Sequence, residues 1–484
     1  MNIVTVIDYL NRTYGYDLDS TYYSYIGDWT NWWKGRYKPF HVYHEKDYTG
    51  HKKEREMYSL RMAKKVCEDW ASILMNEKVR FEFEDKASQE FICGAEDTYG
   101  GVLAENHFEI KGNELVEKAF ASGTGAFVLR IQGMEAMGET VKRSSDSKIK
   151  IEYLTANHIV PLSVSYGEIT EAAFVSDVLQ GGEEYVYIET HRLEDGQYRI
   201  TNAYFEDEEG QLKPAPLPEG MIESFTTGSD IPLFTIVKPN LVNNIMDTAL
   251  GISIFANAID NLKGVDLAFH NFNRDFKLGG KKVFVNDSLT KTDEYGNTIT
   301  PDDVAQQLFV TVGDDIVRDE KTLIQEHNPT LRVQENIDGI QAQLDYLSFK
   351  CGLGAKYYQF NAGGTAVTAT QYAGEKQDLM KNINKQYIAL DGALKRLIRS
   401  ILWIGREIVG APVDPDTKVT VKFDDSFISD KDSERANDLQ ELRDGIMQKW
   451  EYRVKWYGEN EETAKAMTKS ESNGGGWFDD EGDE

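Results

Sequence analysis

The stretch GISIFANAIDNLKGVDLAFHNFNRDFKLG, residues 251–279, decides how the rest of the chain is read. Within it Ile252, Phe255, Ile259, Leu262, Val265, Phe269, Phe272 and Phe276 recur at intervals of three and four, with charged and amide side chains between. That spacing predicts a helix with one apolar seam, because residues three and four apart share a face of a 3.6-residue turn. Gly279-Gly280 closes it, as glycine does at helix ends. A helix that is apolar along one stripe and polar elsewhere must find a partner for the stripe.

Downstream, Ile337, Ile340, Leu344 and Leu347 mark one face of a second helix over about 335–350. The intervening residues, roughly 281–333, hold strand candidates at Lys282–Val285 and Leu308–Val312. Residues 293–297 read as a turn, and Thr300-Pro301-Asp302-Asp303 has the cap, first-position proline and acidic first turn of a short helix. Glycines at 352, 354, 363 and 364 then argue for a mobile loop over 352–365. After it, Leu379, Ile383, Tyr387, Leu390, Leu394, Leu397, Ile401, Ile404 and Ile408 keep the three-four rhythm of one long helix.

Upstream of the Pro239-Asn240 break the design differs. Met57, Leu60, Ala63, Cys67, Trp70 and Leu74 predict an amphipathic helix over about 52–76. From about 114 to 206 the pattern changes to short alternating runs, including Ala126–Ile131, Ile149–Tyr153 and Tyr185–Glu189, which read as strands. Gly123-Thr-Gly125 lacks the second half of a phosphate loop and reads as a turn before a strand. Trp29, Trp32, Trp33, Tyr37 and Phe40 suit core and interface packing better than a stacking platform, since aromatics supply large buried area. Beyond Val413 come a strand candidate at Lys418–Phe423, a charged helical stretch from Ser433 toward Tyr457, and an acidic, glycine-rich tail over 471–484 that reads as disordered. The expected class is α+β, mostly helical, with more than one packed region in 484 residues.

The formal net charge is −28, so a tight grip on nucleic-acid phosphates is disfavoured. Cys67, Cys93 and Cys351 lie far apart in apolar or helical contexts that suit buried free thiols and a reducing compartment. No signal peptide and no membrane span is expected, because no window approaches twenty uncharged apolar residues. The eight histidines form no HExxH or i, i+4 pair, there is no CxxC, and the acid-rich stretch 424–432 lacks the pattern of a calcium loop. Neither GxxxxGK[ST] nor GxSxG occurs, which leaves nucleotide hydrolysis and serine acyl transfer without a foothold. No cofactor or catalytic residue is expected. Paired carboxylates for glycoside hydrolysis leave no local signature and stay open as an alternative.

Taken in order, these segments resemble the portal proteins of tailed phages with long non-contractile tails, most closely the gene-product-6-like branch. The resemblance is carried by Trp32-Trp33-Lys34-Gly35 with Phe40-His41, by Leu60–Ala71, by Gly251–Ile254 through Asp275–Gly279, by Gly352–Phe360, and by Thr368-Ala-Thr-Gln371. It implies a structural, non-enzymatic ring subunit, usually one of twelve, around a channel through which double-stranded DNA is packaged and ejected. By the same resemblance residues 1–250 are a wing, 251–278 and 335–352 a two-helix stem, 279–334 a small α/β clip, 353–371 a tunnel loop, 372–410 a long wing helix, and 411–470 a C-terminal wing and short crown before the tail at 471–484. Lys356, Gln359, Asn361 and Thr365 then face DNA. Phe255, Ile259, Leu262, Phe269 and Leu344 pack stem subunits together, and Ile383, Leu390, Leu397 and Ile401 pack the long helix.

The implied partners are further copies of the chain, the terminase large subunit, head-completion or adaptor proteins, and the major capsid and scaffolding proteins. The implied location is the portal vertex of the virion, with assembly in the host cytoplasm and no membrane association. Twelve copies would carry on the order of 300 negative formal charges, so such a channel slides over phosphates more readily than it holds them. Another head structural or adaptor protein is the nearer alternative; the order helix, α/β insert, helix, loop, long helix argues against it.

Overall fold

The computed structural model describes residues 3–46, 50–76, 79–95, 100–137, 140–208, 210–286, 291–292, 294–295, 298–299, 309–312, 324–360, 369–423 and 431–471. The class is mixed α+β, with helix the larger share at 44% and strand at 25%. Two compact units divide the chain, Met1–Phe423 and Asp424–Glu484.

Three successive two-residue turns build the main sheet of the first unit. Tyr166-Gly167, Gly181-Gly182 and Asp195-Gly196 all adopt positive φ, which matches the twist of antiparallel strands. They connect Ile159–Ser165, Glu168–Gln180, Glu183–Glu194 and Gln197–Glu208 into a meander, with Gln180 opposite Glu183 and Glu194 opposite Gln197. In the resulting eight-stranded sheet, Ile159–Ser165 is a terminal strand. A second sheet centres on Gly125–Gln132, flanked by Phe234–Val237 and Lys148–Thr155. Its central strand is apolar on both faces, with Ala126, Phe127, Val128 and Leu129 buried, as a strand covered on both sides must be. Gly123, at φ +87°, ends the helix Phe108–Ser122 there, and a Cβ on it would lie 2.3 Å from the Gly251 carbonyl oxygen. The turn expected at Gly123-Thr-Gly125 is therefore also a place where two backbones meet.

The long helix, Ala369–Ile404, continues as a π-turn over Gly405–Val409. Trp29 and Trp32 are buried in the core, as their apolar area requires, while Trp33 donates its Nε1 hydrogen to Glu117 at 2.9 Å. Cys67, Cys93 and Cys351 are free thiols; Cys67 and Cys351 are buried and Cys93 is partly exposed.

Several boundaries differ from the sequence reading. The helix expected over 52–76 begins at Met62, after Arg61 takes a left-handed conformation at φ 55°. Residues Lys52–Glu56 are instead a strand paired with Val42–Lys46, held by the backbone ladder with every side chain exposed. The strand-rich region begins at 125, because 108–122 is helical, with Leu115, Val116, Ala119 and Phe120 on its buried side. The seam helix starts at Ile259, following a 3-10 turn over Ala256–Ala258. Strand Val419–Lys422 pairs with Arg80–Phe83 within the first unit, which runs to Phe423.

The second unit contains Lys431–Arg443, Lys449–Tyr457 and Glu461–Glu471, three short helices where one charged stretch toward Tyr457 was expected. Gly445 at φ 75° and a capping box of Gln448 with Glu451 separate the first two. Residues 293, 296 and 297 of the expected turn, the expected helix at 300–303, and the tail from 472 lie outside the described residues. No helix among the described residues is long and apolar enough to cross a membrane.

Candidate functional site: a helical hairpin and the segment that leaves it

Helices Ile259–Leu278 and Val333–Lys350 pack side by side, joined through a small sheet. In that sheet Lys282–Asn286 lies between Phe309–Val312, parallel to it, and Ile324–His327, antiparallel. Leu262 and Val265 of the first helix and Ile340, Leu344 and Leu347 of the second are buried. Gly264 faces Gln343 across the pair, and a Cβ there would meet the Oε1, the movable end of that side chain, at 2.4 Å.

Two carboxylates fasten the first helix. In its third turn, buried Asp266 accepts hydrogen bonds from His41 Nε2 at 2.9 Å, Ser59 Oγ at 3.0 Å and the Leu60 amide at 2.8 Å. The second ring nitrogen of His41 also faces an oxygen, the Tyr37 carbonyl at 3.1 Å. One turn further, His270 accepts from the Tyr58 amide at 3.1 Å, and burial, with Arg274 beside it, holds its pKa below the usual imidazole value. At the far end, Arg332 Nη2 donates to both oxygens of Asp275, at 3.1 and 2.8 Å, and Asn336 donates to Asp275 Oδ2 at 2.9 Å. The Asn336 hydrogen bond, with help from Arg332, holds the Asp275 carboxyl below its ordinary pKa.

The chain leaves the second helix through Cys351–Phe360, fastened by side chains from three other elements. Trp70 Nε1 donates to the Cys351 carbonyl at 3.0 Å and Asn382 Nδ2 to the Gly352 carbonyl at 2.9 Å. Gln341 acts as a surrogate strand: its Nε2 donates to the Tyr358 carbonyl at 2.7 Å and its Oε1 accepts from the Phe360 amide at 2.8 Å. Leu353 and Tyr358 are buried, and burial followed by the neighbouring Asp69 raises the Tyr358 phenol strongly. This first part of the expected mobile loop is thus pinned, because its glycines serve turns, Gly352 at φ 79° and Gly354 at φ 87°.

Lys356 and Gln359 project from this segment as exposed residues, Lys356 with a left-handed backbone. Asn361 and Thr365 lie outside the described residues. Of the residues expected to pack between stem subunits, Phe255, Leu262 and Leu344 are buried within the chain itself, whereas Ile259 and Phe269 are part-exposed. Ile383, Leu390, Leu397 and Ile401 are all buried along the long helix. Apolar side chains left in solvent are different ones. Leu267, Phe276 at 47% exposure and Leu278 lie on the first helix; Tyr346 at 61% and Phe349 at 67% lie on the second. Tyr346 and Phe349 are spaced i, i+3, which the sequence displays, but they fall off the Leu344–Leu347 seam that drew attention.

Facing carboxylates of the kind a glycosidase needs occur at Glu152 and Glu189, with Arg130 between them. Arg130 Nη1 approaches Glu152 Oε2 at 2.5 Å and Nε approaches Glu189 Oε2 at 2.7 Å. Burial pushes Glu189 up, but Arg130, His191 and Tyr187 together outweigh it and hold the carboxyl at about 2. Burial raises the Glu152 carboxyl even with Arg130 beside it, so the pKa values of the two acids are pushed apart, but the Arg130 guanidinium occupies the space between them. Among the described residues no group of histidines, cysteines and carboxylates is arranged to hold a metal ion.

No curated protein matches the sequence. Among solved structures, the neck of a native GTA particle computed with C12 symmetry matches with a TM-score of 0.39 and 11% identity, over 81% of this chain and 88% of that one. The family described as phage portal protein, SPP1 Gp6-like, matches residues 16–472. That span takes in both hairpin helices, the pinned segment and the long helix, and the chain accordingly belongs to the SPP1 Gp6-like family of phage portal proteins.

Proposed function

We propose that this portal protein works as a closed ring, of twelve copies on the family resemblance, whose channel passes double-stranded DNA and whose role is structural and not enzymatic. The observation that carries the reading is the hairpin. Its two helices satisfy each other through Leu262, Val265, Ile340 and Leu344, yet each leaves large apolar side chains in water. Exposed clusters of this kind mark association surfaces, and surfaces on two different helices of one hairpin suit a head-to-tail contact that closes into a ring.

In this reading 1–250 is the wing, 251–278 and 335–352 the stem, 279–334 the clip, 353–371 the tunnel loop, 372–410 the wing helix, and 411–470 the C-terminal wing and crown, followed by the tail. Lys356 and Gln359 face the passing duplex, and the net charge of −28 per copy keeps contact with its phosphates loose. The ring sits at the capsid vertex after assembly in the host cytoplasm. It meets terminase and head-completion proteins at its ends, and capsid and scaffolding proteins at its rim.

Mass photometry and negative-stain images of the purified chain test the assembly. We expect rings with a hole wide enough for duplex DNA, and dispersal toward monomers in Tyr346→Glu/Phe349→Glu. Monomers and dimers alone across a range of salt, or unchanged rings from the double variant, would overturn the hairpin-to-hairpin contact.

A further inference from the structure

One concavity of the first unit is lined by elements other than the two hairpin helices. It is an open groove of about 880 Å³ that runs beside the terminal strand Ile159–Ser165, between the turn at Asp17–Asp19 and the segment 238–251. Its floor is apolar: Leu162 and Leu250 are buried, and Leu18, Leu241 and Met246 are half-buried around them. Its rim is acidic. Asp17, Asp19, Glu168 and Asp247 are all exposed, and none has a cationic partner among the described residues. The one lysine that lines it, Lys238, is turned to the Ala249 carbonyl at 3.0 Å.

Four exposed acids thus ring an apolar floor whose single lining lysine is already engaged by a carbonyl. We propose that this groove docks a cationic amphipathic segment of a different protein, apolar side chains on the floor and lysine or arginine against the rim. Charge complementarity favours that partner, since the site carries four acids against one engaged lysine. Strand addition to the neighbouring sheet edge is not the binding mode. Pro161 removes a backbone donor from that edge, and the Tyr23 hydroxyl, at 2.6 Å, already donates to the Ile159 carbonyl. Side-chain docking, as of a helix laid in a groove, is what remains. The groove is built within one subunit, so this proposal stands or falls separately from ring closure.

The test uses the full chain and a fluorescent 14-residue helical peptide of leucine and lysine, with a leucine–glutamate peptide as its counterpart, followed by anisotropy. We expect the lysine peptide to bind and the glutamate peptide not to. Asp17→Lys/Asp247→Lys should weaken binding roughly 10-fold or more. Asp17→Asn/Asp247→Asn should give a smaller loss. Reversal of two exposed acids elsewhere, Glu183→Lys/Glu184→Lys, should change affinity less than about 2-fold. The four substituted positions are exposed, and an unchanged melting temperature establishes that the variants fold. Equal weakening by both reversals would reduce the effect to diffuse charge and overturn the proposal. So would unchanged binding in the rim variant. A shift in particle mass on rim reversal would identify the groove as a contact between copies, which equally overturns it.

Discussion

Replacing Asp266 with alanine isolates the contact that fastens the first hairpin helix to the N-terminal region. The carboxylate is 4% exposed and receives three donors, of which the Ser59 hydroxyl can turn to water while the His41 Nε2 and the Leu60 amide cannot. A buried donor left without an acceptor costs about 1–3 kcal/mol. Two of them give about 3 kcal/mol as a working value, or roughly 100-fold in a local opening equilibrium. The Leu60 amide reports that opening directly, so hydrogen exchange followed by mass spectrometry on peptides spanning 57–62 is the assay. We expect protection there to fall roughly 100-fold in Asp266→Ala, up to the limit set by global unfolding. Asp266→Asn retains one acceptor oxygen and the shape of the side chain, and should lose only about 10-fold. If Asp266→Ala exchanged at the wild-type rate, or if the asparagine variant were as damaged as the alanine variant, the hub would carry no energy and the reasoning would fail.

Two further outcomes follow from the same region. Because the folded state holds His270 below the usual 6.5, its contribution to stability is present above pH 6.5 and is lost as pH falls through the depressed value; thermal melts between pH 7.5 and 5 should show this step, and His270→Gln should lack it. Gly123→Ala should destabilise by more than about 2 kcal/mol, since it puts a Cβ 2.3 Å from a backbone oxygen at positive φ, whereas Gly264→Ala meets only the movable end of Gln343 and should be neutral or stabilising by up to about 1 kcal/mol, both read by denaturant titration.

The elements legible in the sequence are those whose periodicity is set by burial. The seam of Leu262 and Val265, the face of Ile340, Leu344 and Leu347, and the run Ile383, Leu390, Leu397 and Ile401 all fold as helices with those residues inside. Lys52–Glu56 escaped because its five residues are all exposed: the strand exists through backbone pairing to Val42–Lys46, and side chains carry no record of that. Phe255 falls on the helical seam yet lies before the helix, in a turn that buries it completely. Gln341 gave no signal at all. Its two hydrogen bonds to residues 358 and 360 depend on how the chain turns after Gly352, a tertiary fact with no periodic trace. The acids at 17, 19, 168 and 247 are likewise ordinary in sequence and become a rim only where three separate segments converge.

The fastenings differ in kind along the hairpin and its exit. Asp266 and Asp275 lie nine residues apart, about 13 Å along one helix, and each ties that helix to a different piece of chain. Moving the helix against its neighbours breaks a buried carboxylate hub in its third turn and an exposed contact from Arg332 Nη2 near its C-terminal end. The exit segment 351–360 is held to the rest by side-chain amides and one indole, neutral hydrogen bonds each worth about 0.5–1.5 kcal/mol net. Asp266 is the fastening whose loss leaves buried donors unpaired, while the exposed Arg332–Asp275 pair is worth no more than one of the neutral bonds. The segment that presents Lys356 and Gln359 is kept beside the hairpin by Gln341 and Asn382 and by its own buried Leu353 and Tyr358.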